Sequence, residues 1–242
     1  AATWKEPISM QIGEFLVFTS PPPTAGALTA MQIWSMFADN SSHLAPNQIE
    51  RVHLFVESSI RAFSVRSMAL FSDDSTNMPI NKLTSKKYLA TLMSSYNPNK
   101  RTTENQLSVQ PRERYENPSA TSFVVTDKDG LAIACVLSLH NLFGLGRIAG
   151  DTGIVLAAAP NQKGIGPQSF SPILVLNRFS HELRMLAAAT GGTAAPSALA
   201  WVTQKVFLEN LTLENSIYMP RLHHGGMPDQ VLFEPGTPEE WL

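Results

Sequence analysis

A chain of 242 residues, 43% hydrophobic and 16% charged, can bury one sizeable core or two small ones. Its 18 basic and 20 acidic residues leave a net charge of -2 and form no basic block, which argues against nucleic acid or an anionic lipid surface as a partner. The longest apolar runs fall far short of the roughly 20 residues that span a bilayer, no charged n-region precedes an apolar stretch at the N-terminus, and the single Cys135 excludes an internal disulfide framework and any multi-cysteine metal site.

In chain order, "TSPPPTAGALTAMQIWSMFADN" passes from a rigid proline turn into a run in which Leu28, Met31, Ile33, Trp34, Met36 and Phe37 recur at near-helical spacing. "NQIERVHLFVESSIRAFSVRSMALF" repeats the pattern with Ile49, Val52, Phe55, Val56, Ile60 and Phe63, a second amphipathic helix for which Asn47 is the N-cap candidate. "SDDSTNMPINKLTSKKYLATLMSSYN" reads as a loop and a shorter helix, with Asp73 and Asp74 as a solvated helix end. Residues 97–118, "NPNKRTTENQLSVQPRERYENP", contain almost nothing apolar, so an exposed linker is expected between a helical region at 1–96 and a β-rich region at 119–242.

Beyond residue 118 the period changes from 3.6 to 2. "SFVVT" and "LAIACVLSL" flank "DKDG", whose Gly130 is free to take positive φ, and together they predict a hairpin. The second run is apolar on both faces, which predicts a strand covered on both sides, with Cys135 inward as a small hydrophobe. "SPILVLN" is another buried strand, "LAAATGG" a strand running into a backbone-exposing turn, and "APSALAWVTQKVFLEN" a helix with Pro196 near its start. Three further features have plain readings. His223 and His224 are adjacent and lack a carboxylate or cysteine at ligand spacing, so no metal is expected. "GLGRIAG" lacks the spacing of a phosphate loop, and "KRTTENQLSVQPRER" is a solvated charged run.

Five motifs in order resemble the γ-glutamyltransferase family of N-terminal-nucleophile hydrolases. "VFTSPPPTAGALTAMQIWSMF" is similar to a proline-triplet segment late in the family's large subunit, and "FVVTDKDGLAIACVLSLHNLFGLGRIAGDTGIVL" to the opening of its small subunit. "GPQSFSPILVL" resembles the segment supplying serines to the substrate carboxylate, "ATGG" the oxyanion-hole glycines, and "PRLHHGGMPDQVLFEPG" the closing signature. The resemblance implies an αββα sandwich, incomplete in this chain, and no cofactor. It also implies a nucleophilic threonine freed by self-cleavage, whose own α-amino group serves as base.

The resemblance puts that threonine seven residues before Asp127, and there this chain has Ala120. Thr121 takes the family's second position. The flanking threonine and asparagine fall on Ser138 and His140, and of the paired serines one falls on Ser169 and the other on Gln168. The acidic run that holds a substrate α-amino group becomes Ala157, Ala158, Ala159, Pro160 and Asn161, whereas Gly191 and Gly192 remain.

Two functions stay open. One is a degenerate, non-catalytic structural or binding subunit. The other is an active γ-glutamyl or amide hydrolase or transferase with Thr121 as nucleophile, Ser138 supporting it, and Ser169, Gly191 and Gly192 binding substrate. An engineered Thr→Ala change would explain Ala120 but not the missing acidic run. The resemblance further implies a partner chain carrying the N-terminal half of the fold and a periplasmic or secreted location.

Overall fold

The computed structural model describes residues 4–71, 79–110, 120–158 and 169–241, with side chains left aside at 69–71. The readings made above for Asp73, Asp74, Ala159, Pro160, Asn161 and Gln168, and for the linker beyond residue 110, lie outside those residues.

Two hairpins far apart in the sequence build the central sheet. β1 (Ile8–Ile12) and β2 (Phe15–Thr19) are joined by Gly13 and Glu14, with Gly13 at φ 57, a backbone angle that favours glycine in a two-residue connection. β5 (Ser171–Asn177) and β6 (Leu183–Ala189) form the second hairpin, and antiparallel pairing of β2 with β5 gives the order β1-β2-β5-β6. The N-terminal hairpin was missed in the sequence reading. Its signal is the alternation of Ile8, Met10 and Ile12, then Phe15 and Val17, around one glycine.

One face of the sheet is buried by α1 (Gly26–Ala38) and α5 (Ala195–Phe207). α1 is apolar nearly all round and buried along almost its whole length, because α2 (Gln48–Phe71) packs on its far side. The Asn47 side chain caps α2 by accepting the Ile49 N–H at 2.9 Å. Between the helices, Trp34 stacks on Phe207 at 5.3 Å and Trp201 meets the edge of Phe55 at 4.9 Å. Burying side chains such as Ile33 and Phe37 stabilises the fold by roughly 1.5–3 kcal/mol each. α3 (Ile80–Leu83) and α4 (Lys86–Met93) close the far end with Leu83, Leu89 and Leu92, and the Leu83 carbonyl accepts the Gln32 amide at 2.9 Å.

In the described part of the 97–118 segment many residues are exposed, but Thr102 and Leu107 are buried. Thr102 is anchored to α2. Its N–H and hydroxyl donate to the Glu57 carboxylate at 2.8 and 2.6 Å, and Arg61 donates to the Thr102 hydroxyl at 3.0 Å.

β3 (Ala120–Thr126) and β4 (Ala132–Ser138) form the hairpin that "DKDG" predicts, and it packs on the other face of the sheet, over β5 and β6. After α5 come α6 (Leu213–Tyr218), started by the Thr212 side chain, and the short pair β7 (Leu222–His223) and β8 (Leu232–Phe233). The architecture is a mixed α/β fold with antiparallel sheets. Among the described residues no helix is long and apolar enough to cross a membrane.

The expectation that β4 is covered on both faces fails within this chain. Ser122 and its neighbours at alternate positions face β6, so the opposite set faces out: Phe123, Val125, Ile133 and Leu137 are 50%, 52%, 52% and 47% exposed. Cys135 belongs to that outward set, half-buried, and not to the inner face where a small hydrophobe was expected. Strand composition encodes a wish for cover on two sides; it does not supply the second cover.

Candidate functional site

The residues singled out above gather at one end of the β5–β6 pair and at the head of β3. Ser171 pairs with Ala189 in antiparallel register, and Ser169 and Gly191 each lie two residues beyond that end of the ladder. Ser169 is buried, and its carbonyl accepts the Ser171 hydroxyl at 2.9 Å. The start of α1 comes in close here. A Cβ on Gly26 would lie 2.4 Å from the Ser169 carbonyl oxygen and 2.3 Å from Ser171 Oγ, so no larger residue fits without moving backbone.

Gly191 (φ 132) and Gly192 (φ 63) carry the chain out of β6 through left-handed backbone and into α5. Pro196 follows at the start of α5, where its missing N–H costs nothing. A cavity of 340 Å³ opens beside this turn, lined by Thr190, Gly191, Ala195, Arg221, His223 and Glu234 among others. Arg221 grips Glu234 through Nε and Nη2 at 2.9 and 2.6 Å, and that two-pronged bond holds the Glu234 carboxyl below its usual range. His223 Nδ1 lies 2.7 Å from the Ser197 hydroxyl, itself buried in the first turn of α5. Read as sequence alone, the closing signature assigns no role to Arg221 or His223 at this turn. Only the spatial return of that segment to the glycine turn reveals one.

At the head of β3, Ala120 pairs across the hairpin with Ser138, and Thr121 pairs with Leu137. Directly opposite residues share a face and consecutive residues do not. Ala120 and Ser138 therefore stand together on the inner face, and Thr121 is exposed on the outer one. Ser138 Oγ accepts the N–H of His140, which sits at φ 60. Ser122, two residues along from Ala120, donates to the Ala188 carbonyl at 3.3 Å and ties the head of the hairpin to the strand that leads into Gly191. That serine was not marked from the sequence, where it read only as a strand residue.

Away from this end, α2 carries a buried charged network. Arg61 donates to Glu57 at 2.5 Å, to the Leu92 carbonyl at 2.9 Å and to Ser95 at 3.1 Å. Burial alone would raise the Glu57 carboxyl, but the bonds from Thr102 and Arg61 outweigh it and hold the group below its usual range. His224 is buried beside it. Its Nδ1 accepts the Gly226 N–H at 3.0 Å, its Nε2 lies 3.3 Å from Asp229, and burial pushes the imidazole down against the pull of that carboxylate. The two adjacent histidines thus differ in their partners: His223 meets Ser197 beside the glycine turn and the edge of Phe63 on α2, and His224 joins the charged network on α2. Among the described residues no group of three or more His, Cys, Asp and Glu could hold a metal ion.

With this geometry in view, comparison with known proteins is specific. A family model described as Gamma-glutamyltranspeptidase matches residues 1–242. The glutathione hydrolase proenzyme of Escherichia coli (strain K12) is 24% identical over 265 residues, covering 100% of this chain and 45% of the relative. A glutathione hydrolase proenzyme of Pseudomonas sp. (strain A14) is 24% identical over 254 residues, covering 94% and 43%. The oxamate amidohydrolase proenzyme of Klebsiella pneumoniae is 25% identical over 227 residues, covering 89% and 41%. The chain thus spans less than half the length of these relatives.

Proposed function

Because the chain belongs to the gamma-glutamyltranspeptidase family, we propose that it is a γ-glutamyltransferase-like protein that has lost its nucleophile and serves as a non-catalytic structural or binding subunit. The observation that carries this reading is the pairing of Ala120 with Ser138. An inner-face position at the head of β3, beside Ser138 and tied through Ser122 to the strand entering the glycine turn, suits a nucleophile, and it holds a methyl group. Acyl transfer needs a group that can attack a carbonyl. Thr121 has a hydroxyl but stands on the opposite face, across from Leu137, and bringing it inward would slip the strand by one residue and reverse every side chain after it. The glycine turn survives because the chain path from β6 into α5 needs it, whatever happens at residue 120.

The proposal includes a fold of αββα type completed by a second polypeptide. The helices, the four-stranded sheet and the β3–β4 hairpin supply three layers, and the outward apolar face of the hairpin asks for a fourth. That polypeptide would carry the part of the family fold that this chain does not span. A periplasmic or secreted setting belongs to the same reading and is checked by cell fractionation.

The competing reading, an amide hydrolase acting through Thr121, takes its support from the relatives, which are named as hydrolase proenzymes. Intact-mass spectrometry under denaturing conditions and assay of a γ-glutamyl anilide separate the two. The expected outcome is an uncut bond on either side of Ala120 and no hydrolysis above background. A fragment beginning at Thr121, with turnover abolished by Thr121→Ala, would reverse the assignment.

A further inference from the structure

One side of α2 lines a cavity of 400 Å³. Ile49, Val52, Val56 and Ile60 recur there at spacings of three and four, so they form one row along the helix, and His53 and Glu57 belong to the same side. The other walls come from distant parts of the chain: Arg101 and Thr102, His224 and Val231, Glu240 and Trp241. Neither Ala120 nor the glycine turn takes part in the lining.

A concave site of this size, with an apolar wall and a few convergent polar groups, has the ordinary form of a small-molecule pocket. The polar groups decide what kind of molecule fits. Glu57 is 3% exposed, and a carboxylate offers about four acceptor positions. The Thr102 N–H fills one on Oε1, and the Thr102 hydroxyl and Arg61 fill those on Oε2. The second position on Oε1 has no donor among the described residues. His53 Nε2 lies 3.1 Å from the Asn97 carbonyl, which can only accept, so in the neutral ring Nδ1 is a further acceptor. His224 adds no charge at neutral pH, since burial lowers its imidazole.

The charges point the same way. Glu57 is matched by Arg61, and Arg101 by Asp229. That leaves Glu240, exposed at the rim and without an ion-pair partner among the described residues. Beside it stands the indole of Trp241, the kind of ring that attracts a cation most strongly.

We propose that this cavity binds a small organic monocation, a primary ammonium on a branched or aromatic hydrocarbon body. Its N–H groups meet the open acceptors of Glu57 and His53, its hydrocarbon lies along the apolar row of α2, and Glu240 with Trp241 adds attraction at the rim. A carboxylate on the same body would face two anions in the wall, and a diamine would bury its second charge against valine and isoleucine. The site stands or falls independently of how residue 120 is read.

The test is calorimetric titration of the full chain with 2-phenylethylammonium, 2-phenylethanol and 3-phenylpropionate. Saturable one-to-one binding of the ammonium is expected, with the alcohol roughly tenfold weaker for loss of the charged hydrogen bonds and the carboxylate weaker still. Glu240→Lys, at an exposed position that the fold does not depend on, should weaken the ammonium roughly tenfold at low salt. Val56→Phe, which fills the cavity, should abolish binding while the melting temperature is checked in parallel; Val231→Phe, at the exposed rim, repeats the test if Val56→Phe unfolds. Carboxylate binding as tight as that of the ammonium would overturn the charge assignment. Full affinity in Glu240→Lys or in a folded cavity-filling variant would overturn the location, and no saturable binding in the millimolar range removes the site.

Discussion

The helical side of the molecule and the β3–β4 side both carry strongly apolar runs and end in opposite states. α1 is enclosed by α2, α5 and the sheet, and Trp34, Phe37 and Trp201 lie fully inside. β3 and β4 only partly bury one face against β5 and β6, with Val124 of that face still 46% exposed, and leave Phe123, Val125, Ile133 and Leu137 in solvent. The loop that follows carries Leu142, Phe143, Leu145 and Ile154 outward too. Apolar composition sets how much surface a segment prefers to hide. Whether it is hidden depends on which neighbours the chain can bring.

The sharpest test of this contrast is truncation on the enclosed side. Trp201→Ala removes an indole from between Phe55 and Trp241 and should cost about 3–5 kcal/mol in denaturant unfolding. Glu57→Ala should cost about 3 kcal/mol, because it leaves Arg61 buried without its carboxylate. The same loss would release Thr102, so faster amide exchange through residues 100–107 should accompany the lower stability. Gly26→Ala, whose Cβ meets backbone at Ser169, should cost about 1–3 kcal/mol and shift the start of α1.

A smaller effect is set by pH. Burial lowers the His224 imidazole below its reference of 6.5, with Asp229, Arg101 and Glu57 as the charged groups around it. The unfolded chain therefore takes up a proton first as pH falls. Stability from the neutral imidazole is complete above 6.5 and is lost progressively below it, until the folded protein also protonates. Protonation would need a hydrogen on Nδ1, where Gly226 now donates. Melting temperature should thus decline from pH 7 to pH 5, and His224→Gln should flatten that decline. The smallest effect lies on the open side. Phe123→Ala should change the stability of the chain alone by no more than about 0.5 kcal/mol, and a markedly larger loss would mean that the hairpin face is already covered within the chain.

Much of this was readable in the residues. Periodicity located α1, α2, α5 and the strands β3 to β6, because each has a local repeat that needs no distant information. The motif order carried the family, and counting from Asp127 placed Ala120 where the register later set it opposite Ser138. Other features depend on pieces that meet from far apart. The alternation in β1 and β2 says strand, but only the pairing of Phe15 with Asn177 says which sheet. The polar composition of 97–110 reads as linker until Thr102 meets Glu57, 45 residues away. Cys135 and its outward neighbours follow the same alternation as Ala134 and Val136; period 2 separates two faces and is silent on which one meets β6. Sequence by itself therefore determined the local elements, their two-sidedness and the family. Tertiary structure decided which side is inside, since that choice is settled by packing partners contributed from elsewhere in the chain.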